Sequence, residues 1–266
     1  MSTIPPILLV GLGKMGGAML AGWRERGLAP SVAVDPTLPP SPGPEVTVVA
    51  DAAAIPAGFR PAAIVLAVKP QNAAETLPLY ARYAGDAVML SIMAGRTLSG
   101  MRALLGEAAA IVRAMPNTPA AVRQGVTVAC PGPGVSAAQR ALCDTLLAAI
   151  GSVAWVEDEG LIDPVTAVSG SGPAYVFLLA ELMEQAGLEQ GLPPALARQL
   201  ARETVSGSGA LLAASAEDAA QLRKNVTSPG GTTAAALAVL MEAGAMPAAL
   251  SKAIAAVTKR SKELAG

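Results

Sequence analysis

Short apolar runs alternate with longer segments of helical periodicity over the first 156 residues of the chain. This alternation is typical of a parallel sheet whose strands are connected by helices that cover its faces. The helical segments include 15–26, 71–83 and 136–150, in which apolar residues recur every three or four positions. The pattern predicts eight strands, at 7–10, 32–34, 46–49, 62–68, 87–92, 111–114, 126–129 and 153–156.

The pattern changes after Glu157, where the strand signals stop and four or five long helical segments follow. The first of these is 173–187 and the last is 247–264. Segment 174–186 is apolar around nearly its whole circumference, so we expect it to be buried in a bundle or against another subunit. The predicted architecture is therefore α/β, with a Rossmann-type doubly wound sheet in residues 1–158 and an all-α helical dimerisation domain in residues 159–266.

Composition and charge argue against several classes of protein. Hydrophobic residues form 52% of the 266 residues but aromatic residues only 3%, so Ala, Val and Leu must fill most of the interior. The formal net charge is -1 without a run of like charges, which argues against a nucleic-acid partner. Apolar stretches such as 174–180 fall short of the roughly 20 residues that span a bilayer, and the first ten residues lack a secretory pattern. We therefore expect a cytoplasmic protein without a membrane partner.

The chain contains no histidine, and Cys130 and Cys143 are its only cysteines. Neither a His/Cys metal site nor a disulfide framework can be assembled from this set, so we expect no metal. The same absence excludes Ser-His-Asp and Cys-His arrangements for nucleophilic catalysis. Any chemistry must therefore proceed without imidazole.

A glycine-rich segment, Gly11-Leu12-Gly13-Lys14-Met15-Gly16, follows the first predicted strand and opens the first predicted helix. It matches the dinucleotide-binding fingerprint, in which the first glycine permits a tight turn and the second lets the backbone approach a pyrophosphate. The third glycine allows close helix packing, and the helix N-terminus favours the bound anion. The same glycines could serve only as a tight turn between strand and helix.

Asp35 ends the second predicted strand, 19 residues beyond Gly16. The fingerprint expects an acidic residue there as the partner of the adenosine ribose hydroxyls. Residues 35–44 contain no Arg or Lys that could neutralise a 2′-phosphate, although Arg60 could reach it from a distance. The sequence therefore favours NADH over NADPH.

Other loops follow predicted strands at the edge of the sheet where open α/β proteins bind ligands. They are 67–71, 91–95 and 115–119, and each combines a Pro or Gly with a polar residue. In the helical half, 169–173 and 225–233 concentrate polar residues in an apolar context. The second of these places two glycines before a helix that begins near Thr232, which suits a small carboxylate. Each segment could equally be an ordinary turn or a capped connector.

Four segments together resemble pyrroline-5-carboxylate reductase, namely 67–71, 113–119, 169–175 and 222–233. The most specific part is 225–233 with its Ser-Pro-Gly-Gly-x-Thr core, and the resemblance spans nearly the whole chain. It implies an NAD(P)H-dependent imine reductase that converts 1-pyrroline-5-carboxylate to L-proline in the last step of proline biosynthesis. It also implies a homodimer or larger homo-oligomer, with the active site between the Rossmann half and helices of a paired subunit.

The resemblance assigns roles to residues in both halves. In the helical half, backbone N–H groups hold the substrate carboxylate, and the Thr233 hydroxyl, as the catalytic group, approaches the ring nitrogen. The implied substrate-binding residues are Ser228, Gly230, Gly231, Thr232 and Thr233. The implied cofactor-binding residues are Gly11, Leu12, Gly13, Lys14, Met15, Gly16, Asp35, Ala67, Val68, Lys69, Pro70, Met93, Ala94, Gly95, Asn117 and Asn225, the last of them beside the nicotinamide.

Three residues depart from the family pattern. Lys14 stands where many relatives carry Asn or Gln, and Thr232 stands where many carry Ala. Asp35 favours NADH, whereas the family is often described with NADPH. The missing histidine accords with the implied reaction, because an iminium carbon is already electrophilic and needs a well-placed hydride donor more than a strong base.

A 3-hydroxyacid dehydrogenase of the 3-hydroxyisobutyrate type is the alternative, since the segment from Val10 to Gly16 followed by Met19 also resembles the opening of that family. Those enzymes carry a catalytic lysine early in the helical domain. Here no lysine occurs between Lys69 and Lys224, which argues against the alternative. A third interpretation is a dinucleotide-sensing protein that has lost catalysis, and the intact 225–233 segment argues against it.

Overall fold

The computed structural model describes residues 4–265 of the chain, with side chains as far as Leu264. Two compact units are present. The first comprises Met1–Gly170 and Val257–Gly266, and the second comprises Ser171–Ala256. The first unit contains the sheet, and the second contains helices only.

The first unit is built on one eight-stranded sheet, in which each predicted strand is confirmed. The strand order is β3-β2-β1-β4-β5-β6-β7-β8. The strands are β1 (Ile7–Val10), β2 (Ser31–Val34), β3 (Val46–Val49), β4 (Ala63–Leu66), β5 (Val88–Ser91), β6 (Ile111–Met115), β7 (Gly125–Pro131) and β8 (Gly151–Trp155). Strands β1, β2, β4 and β5 are buried along their whole length, because helices cover both faces of a doubly wound sheet.

Strand β7 departs from the predicted parallel arrangement, because it pairs with β6 in the antiparallel direction. All the other strand pairs are parallel. A parallel return to the same sheet needs a crossover of a dozen or more residues. Residues 116–124 between β6 and β7 are too few for that, so the chain turns back directly.

The helices of the first unit lie on the two faces of the sheet. They are α1 (Lys14–Glu25), α2 (Ala73–Thr76), α3 (Leu98–Leu105), α4 (Ala137–Ala148) and α5 (Ile162–Val165). The predicted helix at 71–83 is wrong as a single element, because only α2 within it is α-helical and 3-10 turns flank it. Pro78 accounts for the break, since proline removes a backbone donor and clashes with the preceding turn.

Two apolar clusters fill the space between the sheet and these helices. Trp23 on α1 is fully buried in one of them and donates its indole N–H to the Leu146 carbonyl on α4 at 2.9 Å. The two helices approach closely at Gly22, where an added Cβ would lie 2.5 Å from the Ala149 carbonyl oxygen. Small residues therefore set the spacing of this layer.

The second unit is all-helical, as predicted. Its helices are α6 (Gly172–Glu189), α7 (Pro194–Ala214), α8 (Ala219–Asn225) and α9 (Thr232–Leu240), and α10 (Met246–Ala265) begins in it and ends in the first unit. We expected α6 to be buried on all sides, yet none of its residues is buried within one chain. Phe177, for example, is 65% exposed.

The helical run Glu159–Glu189 is long and apolar enough to cross a bilayer by length and composition, and 6% of its most apolar window is buried. This run exceeds the short apolar stretches on which the expectation from sequence rested. Helices at the core of soluble proteins can pass the same test. The absence of a membrane partner therefore stays a prediction.

Polar contacts attach residues 159–170 and the end of α10 to the first unit. Glu159 forms an ion pair with the buried Arg113 of β6 at 2.7 Å, and Ser261 donates to Asp163 at 2.7 Å. The compact first unit therefore extends beyond the predicted domain boundary between residues 158 and 159. That boundary, as a division between functional domains, stays a prediction.

The close approach at Gly22 predicts that Gly22→Ala destabilises the first unit. The added methyl group would meet the Ala149 carbonyl, and overpacking of this kind typically costs about 1–3 kcal/mol. Gly17→Ala is the matched control on the same helix, because its nearest neighbour would lie 3.8 Å away and alanine favours a helix by up to about 1 kcal/mol. Chemical denaturation should give a lower free energy of unfolding for the first variant and an equal or higher one for the second. Equal stability of both variants would contradict the packing argument.

Candidate functional site

The carboxyl ends of β1 and β4 lie side by side at the point where the strand order reverses. Ligands of open α/β sheets bind in the crevice at this switch point. Gly11 follows β1 with φ of +102°, a conformation that favours glycine, and its N–H donates to the Val34 carbonyl at 2.9 Å. The glycine segment therefore lies at the switch point, as the fingerprint requires.

The first and third glycines of this segment leave no room for side chains. A Cβ on Gly11 would lie 2.8 Å from the Ala67 carbonyl oxygen, and one on Gly16 would lie 2.1 Å from the Gly11 carbonyl oxygen. Gly13 differs, because a Cβ placed there would meet nothing within 4 Å. The backbone at Gly13 is therefore open to a pyrophosphate, while the two other glycines pack the loop against β4.

Helix α1 begins at Lys14 directly after this loop. Gly13 is its N-cap and supplies no side-chain hydrogen bond, and the first turn carries no acidic residue. The N–H groups of a first helical turn have no partners within the helix, and the helix dipole adds a partial positive charge there. The arrangement fits an anionic group such as a diphosphate, with the exposed Lys14 at its edge.

Asp35 lies beside the glycine loop, just beyond the end of β2. One carboxylate oxygen accepts the Leu12 N–H at 2.9 Å, and the other accepts the Thr37 N–H at 3.0 Å and the Thr37 hydroxyl at 2.6 Å. Partial burial acts to raise the pKa of Asp35, but the hydrogen bonds from Thr37 and Leu12 outweigh it and hold the pKa below its ordinary value. The carboxylate is therefore ionised at neutral pH and fixed in position.

The predicted cofactor loops after β4 and β5 are both in the first unit. Ala67 and Val68 are half-buried against the glycine loop, and Lys69 is exposed. The Met93 side chain is buried in an apolar cluster, so only its backbone is available to a ligand. Gly95 has φ of +68°, and a Cβ there would lie 3.1 Å from the Leu264 Cβ atom.

Asn117 lies in the loop after β6, where its side chain forms hydrogen bonds with backbone groups. It is 8% exposed, its amide N–H donates to the Ser169 carbonyl at 3.2 Å, and its oxygen accepts the Val126 N–H at 3.0 Å. Both polar ends of the side chain are thus engaged within the first unit. Its predicted contact with the cofactor stays a prediction.

Arg96 lies just beyond the predicted 91–95 segment, and the sequence patterns do not single it out. The Arg96 guanidinium donates two hydrogen bonds to the Pro70 carbonyl, and the buried Ser91 hydroxyl accepts the Met93 N–H at 3.3 Å. The Arg96 contact spans 26 positions and depends on tertiary structure, whereas the Ser91 contact joins residues two positions apart. A single arginine in a loop carries no spacing by which it could be recognised.

The second unit contains the predicted substrate segment. Gly230 has φ of +69° and Gly231 is the extended N-cap of α9, with no side-chain hydrogen bond to the helix. The Gly231 N–H donates back to the Ser228 carbonyl at 3.0 Å, which closes the turn. Thr232 and Thr233 then open the helix, with the Thr233 side chain half-buried. The first turn of α9 therefore offers free N–H groups beside hydroxyl groups.

Asn225 ends α8 and is held by neighbours within the second unit. Its amide N–H donates to Glu217 at 2.9 Å, and its oxygen accepts the Gln221 side-chain N–H at 2.7 Å. These bonds are between exposed side chains, which exchange partners readily. The predicted position of Asn225 beside the nicotinamide stays a prediction.

Two cavities elsewhere in the first unit are weaker candidates for a site. They measure about 590 and 280 Å³ and lie beside β6 and β7, and Glu159 and Gly132 line both. Their charged residues are already paired, as Arg140 is with Glu157 at 2.7 Å, and they contain no predicted site residue. Among residues 4–265, no cluster of three metal-ligating side chains occurs. The switch point and the start of α9 therefore remain the best candidates.

Comparison with known proteins agrees with a first unit that contains the sheet and a second unit that is helical. Residues 159–264 match the family model for pyrroline-5-carboxylate reductase dimerisation. The pyrroline-5-carboxylate reductase of Pseudomonas aeruginosa is 38% identical over 276 residues, which cover 100% of this chain and 98% of that protein. A lysine-dependent hydroxyacid dehydrogenase is not favoured by these matches.

Solved structures give the same result. A pyrroline-5-carboxylate reductase from Coxiella burnetii has a TM-score of 0.87 and 32% identity over 98% of each chain. A pyrroline carboxylate reductase from Plasmodium falciparum, solved with NADP bound, has a TM-score of 0.85 and 27% identity over 98% of each chain. From the sheet, the two glycine segments and these matches together, the chain belongs to the pyrroline-5-carboxylate reductase family.

Proposed function

We propose that this protein reduces 1-pyrroline-5-carboxylate to L-proline with a reduced nicotinamide cofactor, as the last step of proline biosynthesis. The observation that carries the proposal is a pair of glycine-rich helix N-termini in one chain, each of which suits an anion. The first is the open glycine loop before α1, and the second is the Gly230–Gly231 turn before α9. Family membership then favours the imino acid as the substrate.

The second site suits the substrate carboxylate. Backbone N–H groups at Thr232 and Thr233 form the start of α9, where a bound anion gains typically about 0.3–1 kcal/mol from the helix dipole. Ser228 adds an exposed hydroxyl group, and the positive φ of Gly230 shapes the turn that exposes these donors. A carboxylate held there leaves the rest of a small ring close to the Thr233 side chain.

The chemistry then depends mostly on position. A reduced nicotinamide, when bound, would supply a hydride to the electrophilic carbon of the iminium, whose nitrogen already carries the proton that the amine product keeps. Thr233 orients the ring through a hydrogen bond to its nitrogen, and the α9 N-terminus fixes the carboxylate end. Holding two reactants in line can be worth about 7–11 kcal/mol, so the lack of a histidine base is not a handicap.

The cofactor preferred by this chain is proposed to be NADH. Asp35 accepts three hydrogen bonds, and a carboxylate has about four lone-pair sites, so one remains for a ribose hydroxyl. A 2′-phosphate would instead bring a second anion beside an ionised carboxylate. At about 4 Å this repulsion costs roughly 1–4 kcal/mol per pair of unit charges.

A homodimer formed through the helical unit is proposed as the working assembly. Apolar side chains of α6 that one chain leaves exposed include Phe177, Leu178 and Leu182. Soluble proteins rarely expose so large an apolar surface, and the family match concerns dimerisation. A second copy of the chain, not a lipid bilayer, is the proposed cover for this surface.

The protein is also proposed to be cytoplasmic. Cys130 and Cys143 are free thiols, and both are buried. Burial raises the pKa of Cys143 to about 12, so its reactive thiolate is scarce. Two inert free thiols accord with the reducing cytoplasm.

The reaction is tested by following oxidation of NADH and of NADPH with pyrroline-5-carboxylate. Oxidation of the cofactor should occur with this imine and not with the semialdehyde that a dehydrogenase would reduce to 3-hydroxyisobutyrate. Thr233→Ala should lower kcat about tenfold or more, because a hydrogen bond to a charged group is worth about 1.5–3 kcal/mol. Thr145→Ala is the control, since that hydroxyl donates to the Ala141 carbonyl of its own helix at 2.9 Å.

The two parts of this assay fail separately. A wild-type protein that oxidises neither cofactor with the imine would overturn the proposed reaction. A Thr233→Ala enzyme with full turnover would remove only the role of Thr233.

Cofactor choice is tested with Asp35→Asn. The ratio of kcat/KM for NADH to that for NADPH should favour NADH in the wild type and fall about tenfold to a hundredfold in the variant. Because the pKa of Asp35 lies below its ordinary value, the wild-type ratio should stay constant across the neutral pH range. Asp86→Asn is the control, being an exposed acid at the amino end of β5. A wild type that prefers NADPH would show the assignment to be wrong.

Assembly is tested by light scattering after gel filtration without detergent. The mass should be twice 26.5 kDa or a higher even multiple. Phe177→Asp should shift the protein towards the monomer, because a buried unpaired charge at an interface is costly. Leu38→Asp, at an exposed site in the first unit, should not. A monomeric wild type, or one that needs detergent to stay in solution, would contradict the proposal.

A further inference from the structure

One side chain connects the loop after β4 with the loop after β5. Arg96 donates from Nε to the Pro70 carbonyl oxygen at 2.9 Å and from Nη2 to the same oxygen at 2.7 Å. The two residues are 26 positions apart in the chain. Pro70 has no N–H group, so its carbonyl is the only backbone group through which it can hydrogen bond.

Other contacts also hold the loop that contains Arg96, one at the end of β5 and one with α10. The Ser91 hydroxyl, fully buried at the end of β5, accepts the Met93 N–H at 3.3 Å. Gly95 packs against Leu264, since a Cβ added to Gly95 would lie 3.1 Å from the Leu264 Cβ atom. The Ile92 N–H donates to the Leu66 carbonyl at 3.2 Å, which joins the two loops where they leave the sheet. Arg96 adds a contact between them beyond the ends of the strands.

The loop after β4 is in turn packed against the glycine segment. The Ala67 carbonyl oxygen would lie 2.8 Å from a Cβ on Gly11, and the Ala67 Cβ would lie 3.3 Å from one on Gly16. A displacement of the Pro70 end would thus be transmitted to the backbone that faces the pyrophosphate. Through Arg96, the glycine loop and the Met93–Gly95 loop form one braced surface.

We propose that Arg96 is a positioning residue for the cofactor, which it serves by bracing these two loops and not by touching the cofactor. The inference rests on the proposed function, because it assumes that both loops line the nicotinamide nucleotide. The planar guanidinium suits the task, since two of its N–H groups converge on one oxygen in a fixed fork. An ammonium group on a flexible stem can keep the charge but not this geometry.

The test compares three variants by fluorescence titration with NADH and by steady-state kinetics. Arg96→Ala should raise the Kd and the KM for NADH about tenfold, with kcat and the KM for pyrroline-5-carboxylate within about twofold of wild type. Arg96→Lys should recover only part of the lost affinity. Arg26→Ala is the matched control, because that guanidinium also donates to a distant backbone carbonyl, Ala148, but at the far end of α1.

Several outcomes would overturn the bracing role. Unchanged NADH affinity in Arg96→Ala would do so, as would an equal loss in Arg26→Ala, which would indicate general destabilisation. Full recovery in Arg96→Lys would point to a direct charge contact with the cofactor. If Arg96→Ala does not fold, Arg96→Lys alone still decides, since bracing requires a measurable loss of affinity. The NADH titration needs no imine, so a wild type that binds NADH but lacks reductase activity separates failure of the proposed reaction from failure of this inference.

Discussion

The structure of the first unit depends on a close approach of three backbone segments, where β1, the start of α1 and the loop after β4 meet. Side chains are excluded from this point, since a Cβ on Gly16 would lie 2.1 Å from the Gly11 carbonyl oxygen. Contact of bare backbone is what aims the α1 N-terminus at the switch point. The position of Asp35 follows from it, because its carboxylate accepts the Leu12 N–H of the same loop. Sheet, helix and anion site are therefore set by one steric constraint.

Much of this fold could be predicted from the sequence, and the exceptions have physical causes. Apolar runs identify all eight strands, and the hydrophobic signal is continuous in β1, β2, β4 and β5 because these strands are buried along their whole length. Strand direction is not encoded in that signal, so the antiparallel β7 was missed although the short 116–124 connection was visible. The break at Pro78 could have been predicted from the residue itself. The return of α10 to the first unit could not, because it depends on the Asp163–Ser261 contact across 98 positions.

Some residues of the candidate site can likewise be predicted from the sequence, and others cannot. The glycines and Asp35 can be recognised in the sequence, because their spacing follows from local geometry at a strand-to-helix turn. Arg96 has no such spacing, because its contact with Pro70 joins two loops that are 26 positions apart in the chain. Asn117 shows the opposite case, since it belongs to a recognisable segment but its side chain is occupied by Ser169 and Val126. Sequence patterns thus reveal groups that follow a local rule better than groups that act through tertiary contacts.

The buried Trp23 has a practical consequence for spectroscopy. The chain has two tryptophans, and the other, Trp155, ends β8 with its indole N–H on Asp144 at 2.9 Å. Both belong to the first unit, so intrinsic emission excited at the tryptophan band reports on that unit. The helical unit contains no tryptophan, so its melting would be followed by far-ultraviolet circular dichroism instead. A difference between the two signals on heating would therefore resolve the two units without any added label.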